Sequence, residues 1–190
     1  MGDKCANTQI IYLIGSLRNA AIPSIGNRIR DCGFEVFDDW HSAGPEADDH
    51  FKRYHIERNI TYDQALKGYA AQHIFNFDKR HLDRADMAIL VMPAGRSGHL
   101  ELGYMAGRGK PTFVLLEEGN DRRDLMLQFA NGVYFSMEKL LESLLIWKNE
   151  RSAQLQLPFI HGGCTSPSEP RPYSLQPGRP GYWEVWGANI

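Results

Sequence analysis

Cysteine is scarce in this chain, with three in 190 residues (Cys5, Cys32 and Cys164) and no C-x-x-C pair. An odd, widely spaced set builds no disulfide framework and fits thiols in a reducing compartment. Long apolar runs are missing as well: no stretch approaches the ~20 residues that span a membrane. The opening MGDKCANTQ has no apolar core of a signal peptide. A cytoplasmic location without membrane attachment is the expectation. No excess of one charge exists either, since 21 basic residues face 23 acidic ones for a net charge of −2. That removes the electrostatic case for a nucleic-acid partner and favours a small molecule. His41, His50, His55, His73 and His81 form no H-E-x-x-H or similar pattern, so neither a metal nor another cofactor is expected.

What is present is an ordinary globular composition, 43% hydrophobic and 23% charged, at a length that suits one domain. Short apolar runs alternate with helical patterns. Gln9–Ile14 (QIIYLI) reads as a buried first strand ending in Gly15-Ser16. Ala20–Cys32 carries Ile22, Ile25 and Ile29 at helical spacing, with Gly33 as a C-cap. Phe34–Phe37 is a second strand running into Asp38-Asp39-Trp40. The polar stretch from His41 to about Arg58 reads as a long loop, solvated or closing over substrate. Tyr62–Asp86 reads as one or two helices with Ala65, Leu66, Tyr69, Ala70, Ile74, Phe77 and Leu82 on an apolar stripe; Tyr62, Tyr69 and Phe77 are assigned to the core, and Asp86 to capping the helix end. Met87–Met92, Thr112–Leu116 and Val133–Phe135 are further strands, His99–Gly107 and Met137–Trp147 further helices.

This alternation predicts an α/β fold: a Rossmann-like or flavodoxin-like parallel sheet of about five strands with helices on both faces. It occupies 1–149. From 150 to 190 six of the ten prolines cluster, which marks a Pro-rich tail or arm. Its ending, Tyr182-Trp183-Glu184-Val185-Trp186, suits an arm that docks, with a neighbouring subunit as one candidate surface.

Ligands of such sheets bind beyond the carboxyl ends of the strands. Three segments meet that condition: Gly15–Asn19, Asp38–Trp40 and Pro93–Glu101. In Pro93-Ala-Gly95-Arg-Ser97-Gly98-His-Leu-Glu101 a strand enters a loop of small residues and then a helix. Gly95, Ser97 and Gly98 allow close backbone approach, and the helix start offers N–H groups to an anion or hydroxyl. Spacing alone leaves Glu101 either a solvated helix residue or a carboxylate at the floor of a pocket. Asp78 is likewise a surface charge or a second carboxylate aimed at the same pocket; paired carboxylates suit glycosidic chemistry. Trp40 is placed to stack on a base or to pack at the rim. His99, two residues from Glu101, points elsewhere and serves the helix start.

Tyr12-Leu-Ile-Gly-Ser16, Phe77-Asp78…Leu82-Asp-Arg-Ala-Asp86 and Ser97-Gly-His-Leu-Glu101-Leu-Gly103-Tyr104…Gly109-Lys110-Pro111 together resemble the nucleoside 2-deoxyribosyltransferase family over roughly residues 9 to 145. The resemblance implies that Glu101 attacks the anomeric carbon and forms a glycosyl-enzyme intermediate. It also implies that Asp78 supports base and sugar, that Tyr12 holds the glutamate, and that the chain is a homo-oligomer. Transferases of this family often carry an acidic residue about six positions before the nucleophile; Gly95 stands there instead. The loop Gly15-Ser16-Leu-Arg18 looks more like that of the related 5′-monophosphate N-glycosidases, which implies a phosphate cradle of Ser16, Arg18 and Ser97. The spacing Pro93-x-Gly95-x-x-Gly98-x-x-Glu101 is similar, more loosely, to cytokinin-activating phosphoribohydrolases. All three imply cleavage of a base–sugar bond, with a nucleoside or nucleotide and a free base as partners. Asp39 joins the expected substrate-binding set, while NAD glycohydrolysis and a nucleotide sensor without turnover are the rival readings.

Overall fold

In the computed structural model, residues 8–116 and 124–155 are described. The chain divides into two units, Met1–Ile146 and Trp147–Ile190; the sheet and the candidate site lie in the first. The tail expected beyond residue 150 falls, past Leu155, outside the described residues.

Five parallel strands form one sheet in the order β2-β1-β3-β4-β5. They are β1 (Ile10–Ile14), β2 (Glu35–Phe37), β3 (Met87–Val91), β4 (Thr112–Leu115) and β5 (Gly132–Tyr134). β1, β3 and β4 read as continuous apolar runs because both faces of a parallel sheet are covered. Side chains alternate across it: Tyr12, Ile14, Ala88, Leu90 and Val114 join one core cluster. Ile11, Leu13, Met87, Ile89 and Phe113, equally buried, turn to the opposite face.

The helices are α1 (Ile22–Asp31), α2 (Ala47–Glu57), α3 (Tyr62–Leu66), α4 (Tyr69–Arg84), α5 (Arg96–Gly107) and α6 (Met137–Leu155). Leu82 and Ala85 at the end of α4 and Leu102 and Met105 of α5 complete the Tyr12 cluster. Asp83 ties these two helices, accepting from Lys79 Nζ at 2.6 Å and from Tyr104 Oη at 2.5 Å. α1 ends on Gly33, whose φ of 80° is the left-handed conformation that glycine adopts without penalty. Lys110 closes the end of α4, donating to the carbonyls of Leu82, Asp83 and Ala85 at 3.0, 2.7 and 2.6 Å.

Three expectations need correction. The polar stretch after Trp40 is not a loop but a 3-10 turn (Asp39–Ala43) followed by α2. Only His55 of α2 is buried, so no apolar period betrays the helix; Asp48 and Asp49 in its first turn favour it through the helix dipole. Asp86 does not cap α4. Its Oδ2 accepts the Ile10 N–H at 2.9 Å while its own N–H donates to the Ile10 carbonyl at 2.8 Å, fastening β1 to β3 at the edge opposite the site. Tyr62, Tyr69 and Phe77 are not core but exposed, as are Leu66 and Ile74. The face of α4 that meets the sheet is instead Asp78, His81, Leu82 and Ala85.

Candidate active site

The strand order reverses direction between β1 and β3: from β1 the chain moves outward to β2, and from β3 toward β4 and β5. Such a switch point opens a crevice beyond the carboxyl ends of the two strands. Gly15–Asn19 leaves β1 there, and Met92–Gly95 leaves β3.

Glu101 stands on the inner face of α5. Its neighbours at helical spacing, Gly98, Leu102 and Met105, are all buried. Glu101 itself is half-buried, and its partial removal from water pushes it up to about 7, with the negative charge of Asp78 adding to the effect. Asp78 occupies the equivalent inner row of α4, three residues before His81 and four before Leu82, and burial raises it as well. Both helices run antiparallel to the strands, so Asp78, well before the end of α4, and Glu101, early in α5, come together near the carboxyl edge. Tyr12 is buried in β1. Burial first, then the charges of Glu101 and Asp78, drive its phenol far above the ordinary value, so it remains a neutral O–H donor.

Burial raises both carboxyls, and the negative charge of Asp78 raises Glu101 further.

The loops frame this cluster. Gly15 has no room for a side chain, because a Cβ there would collide with Ile22 Cδ1 and stand 3.5 Å from Trp40 Cη2. Trp40 is fixed across the end of β1 by its indole N–H, which donates to the Leu13 carbonyl at 2.8 Å. Ser16 Oγ accepts the Arg18 N–H at 3.2 Å, which leaves its own hydrogen to donate. Arg18 is exposed and pairs with Asp49 of α2 at 2.7 Å. Asp39 is exposed at the start of the 3-10 turn, and its charge acts on His81. Gly98 is buried against the sheet: a Cβ would meet Ile14 Cγ2 at 3.0 Å and Leu90 Cδ1 at 3.2 Å. It lets α5 sit close enough to bring Glu101 over β1. Gly95 and Ser97 are exposed around the start of α5, and a Cβ at Gly95 would meet nothing within 4 Å. A His99 ring nitrogen lies 2.8 Å from the Gly95 carbonyl, which ties it to the helix start and away from Glu101.

His81 was not singled out by the sequence. Its ring stacks on Phe37 at 3.8 Å and 6°, its Nδ1 is buried without a hydrogen-bond partner, and burial lowers its basicity. A neutral imidazole one turn from Asp78 adds no countercharge to the carboxyl pair. The i,i+3 spacing to Asp78 was the available signal. Among the described residues no group of three or more His, Cys, Asp or Glu side chains is arranged to hold a metal ion.

No protein-family model matches the chain, and no curated protein does. Solved structures do resemble it. A conserved protein from Enterococcus faecalis superposes with a TM-score of 0.52 at 14% identity, over 75% of this chain and 99% of that one. A 2-deoxyribosyltransferase from Bacillus psychrosaccharolyticus superposes with a TM-score of 0.50 at 17% identity, over 72% and 95%. The CMP N-glycosidase BcmB of Clostridium botulinum gives a TM-score of 0.45 at 15% identity, over 72% and 98%. At these identities the first two likenesses establish a shared α/β fold.

Proposed function

We propose that this chain cleaves or transfers the N-glycosidic bond of a (2-deoxy)nucleoside through a glycosyl group carried on Glu101. The observation that carries the reading is the set of buried Tyr12 and half-buried Asp78 and Glu101 at the β1/β3 switch point, two carboxyls beside a neutral phenol. The ordered motifs resembling the nucleoside 2-deoxyribosyltransferases support it, as does the fold shared with one such enzyme.

In the first step a Glu101 oxygen bonds to the anomeric carbon while the carbon–nitrogen bond breaks and its electrons stay on the base. The departing nitrogen takes a proton relayed by Asp78, directly or through water. Tyr12 donates to the Glu101 oxygen not engaged in the bond and fixes the carboxylate in line. In the second step water or another base attacks the same carbon, returns a proton to the Asp78 relay as the bond to Glu101 breaks, and releases Glu101 as the carboxylate. Desolvation makes this nucleophile costly to ionise but reactive once ionised. A sugar without a 2-hydroxyl eases the cation-like transition state. Trp40 and Asp39 border the base and sugar, and Gly15, Gly95 and Gly98 shape the crevice.

A second reading, hydrolysis of a nucleoside 5′-monophosphate, is favoured by Arg18. Its guanidinium stands on the loop leaving β1 with an exposed carboxylate as partner, and such pairs are weak enough for a phosphate to displace. Ser16 and Ser97 would share that phosphate.

The test is product chromatography. Deoxynucleosides and their 5′-monophosphates are incubated with the protein, with and without a second free base, beside Glu101→Ala. A new nucleoside formed only with the acceptor base supports the transferase. Free base from monophosphates, indifferent to acceptor, supports the hydrolase. No base released, or equal release by the alanine variant, rejects the Glu101 mechanism and leaves the nucleotide sensor, read as a rise in melting temperature without turnover.

A further inference from the structure

β2 is an edge strand of the sheet and only three residues long. Its last residue, Phe37, pairs in register with Tyr12 of β1, and the two rings lie 5.1 Å apart at 41°. Among the described residues no strand lies beyond β2, so the outer side of the Phe37 ring has to be covered from the helix layer. His81 of α4 covers it. The two rings stack at 3.8 Å and 6°, and Phe77 closes against both, 5.8 Å from Phe37 and 4.7 Å from His81. Phe37 is thereby clamped between Tyr12 and His81 and is fully buried in spite of its place at the edge. Tyr12, buried as well, stands near Asp78 and Glu101, whose charges act on its phenol.

The imidazole is held there by packing. Its Nδ1 is buried without a hydrogen-bond partner, an arrangement that folded proteins ordinarily avoid, because the desolvated nitrogen gains nothing in return. What His81 contributes at this place is the flat face of its ring. The geometry points to His81 as a positioning residue: stacked on Phe37, it holds that ring against Tyr12 and so fixes the Tyr12 hydroxyl beside the carboxyl pair. Without the outer cover Phe37 is free to change rotamer, and Tyr12 loses the wall it packs against. A group at the reacting centre that shifts by about 1 Å can cost on the order of 100-fold in rate, whereas substrate binding, spread over the rest of the crevice, changes little. His81 follows Asp78 by three residues on the inner row of α4, so one helix sets both the second carboxyl and the ring behind the phenol. The effect on catalysis rests on the chemistry proposed for Glu101; the packing of Tyr12 does not.

The experiment pairs a structural readout with a kinetic one on the full chain. Ring-labelled tyrosine reports Tyr12 by nuclear magnetic resonance, its signal identified by its loss in Tyr12→Phe. His81→Ala removes the stack, and His81→Phe keeps it while removing the unpartnered nitrogen; the half-buried position leaves room for the larger ring. His81→Leu, which fills the space without a flat face, takes the place of the alanine variant should circular dichroism show that one unfolded. Lys110→Met, at the far end of α4, is the control for lost stability alone. The Tyr12 signal is expected to move in His81→Ala and His81→Leu and to return in His81→Phe. On whichever nucleoside or 5′-monophosphate the wild type turns over, His81→Ala should lower kcat by about tenfold with KM unchanged. His81→Phe and Lys110→Met should keep the wild-type kcat, and on a Tyr12→Phe background His81→Ala should cost almost nothing further. An unmoved Tyr12 signal in the alanine and leucine variants overturns the positioning role. So does a His81→Phe variant as slow as His81→Ala, which puts the nitrogens into the chemistry, or an undiminished loss on the Tyr12→Phe background, which places the effect elsewhere. A wild type that turns over none of these substrates rejects the proposed function, and the Tyr12 signal then decides alone whether His81 holds that ring.

Discussion

Replacing Glu101 by glutamine removes a charge that the folded protein accommodates poorly. The native carboxyl is raised from 4.5 to about 7, whereas in the unfolded chain it keeps its ordinary value. Between those two values the native state binds more protons than the unfolded one, so stability falls as pH rises through that window and levels off above it. A shift of this size corresponds to about 3 kcal/mol, present in full only above pH 7. Glutamine has the same shape and does not titrate. Glu101→Gln should therefore gain little over wild type near pH 4.5 and most at pH 8, where about 3 kcal/mol corresponds to a melting temperature higher by roughly 6–12 °C for a chain of this size. Because Asp78 titrates in both proteins, the pH dependence of the difference isolates Glu101. The assay is thermal unfolding by circular dichroism at half-unit steps from pH 4.5 to 8.5. A difference that stays flat across that range, or a wild type more stable than the variant at pH 8, would refute the reasoning that burial and Asp78 together hold the proton on Glu101.

Other outcomes follow from the same geometry. The nucleophile must be ionised, so kcat/KM should rise about tenfold per pH unit up to about 7 and flatten above it; an acid limb near 4.5 would contradict the desolvated position of Glu101 beside Asp78. Asp49→Asn removes the competitor for Arg18 and should tighten binding of a 5′-monophosphate by about two- to fivefold while leaving the nucleoside unchanged. Titration calorimetry reads both, and an equal change for the two ligands would dissociate Arg18 from the phosphate. Lys110→Met leaves three carbonyls at the end of α4 without their donor and should cost about 2 kcal/mol of stability, seen as a lower urea midpoint; an unchanged midpoint would show that water replaces the ammonium.

The parts of the fold that were legible in the sequence are those whose burial is complete. Met87–Val91 and Thr112–Leu115 lie inside a sheet covered on both faces, and continuous apolar runs have few other uses. α2 was illegible for the opposite reason: with one buried residue it has no period to read, and its helical state rests on local backbone preference. In α4 the apolar residues were visible but not their partners. Sequence periodicity shows which side chains share a face, not where the sheet beneath that face stops, so Tyr69 was assigned to a core that does not reach it, and Phe77 to one that it meets only at the edge, its ring 5.8 Å from that of Phe37. Glu101 was legible as the carboxylate after a strand–loop–helix turn, and its inner position follows from its phase with Gly98, Leu102 and Met105. Its meeting with Asp78 and Tyr12 was not derivable from spacing, because the three come from different elements brought together by the strand order; only the family resemblance joined them beforehand. His81 escaped because a buried imbalance, a stacked imidazole with an unpartnered nitrogen, leaves no mark in sequence.

The central claim is that Glu101 itself becomes covalently glycosylated. The direct measurement is intact mass spectrometry of the protein quenched in acid during turnover of deoxynucleosides and their 5′-monophosphates, followed by peptide mapping. The account requires a mass gain equal to one deoxyribosyl or phosphodeoxyribosyl group, located on the peptide containing Glu101 and absent from Glu101→Gln. Base release with no adduct on any peptide at early quench times, or an adduct that persists in the glutamine variant, would contradict it.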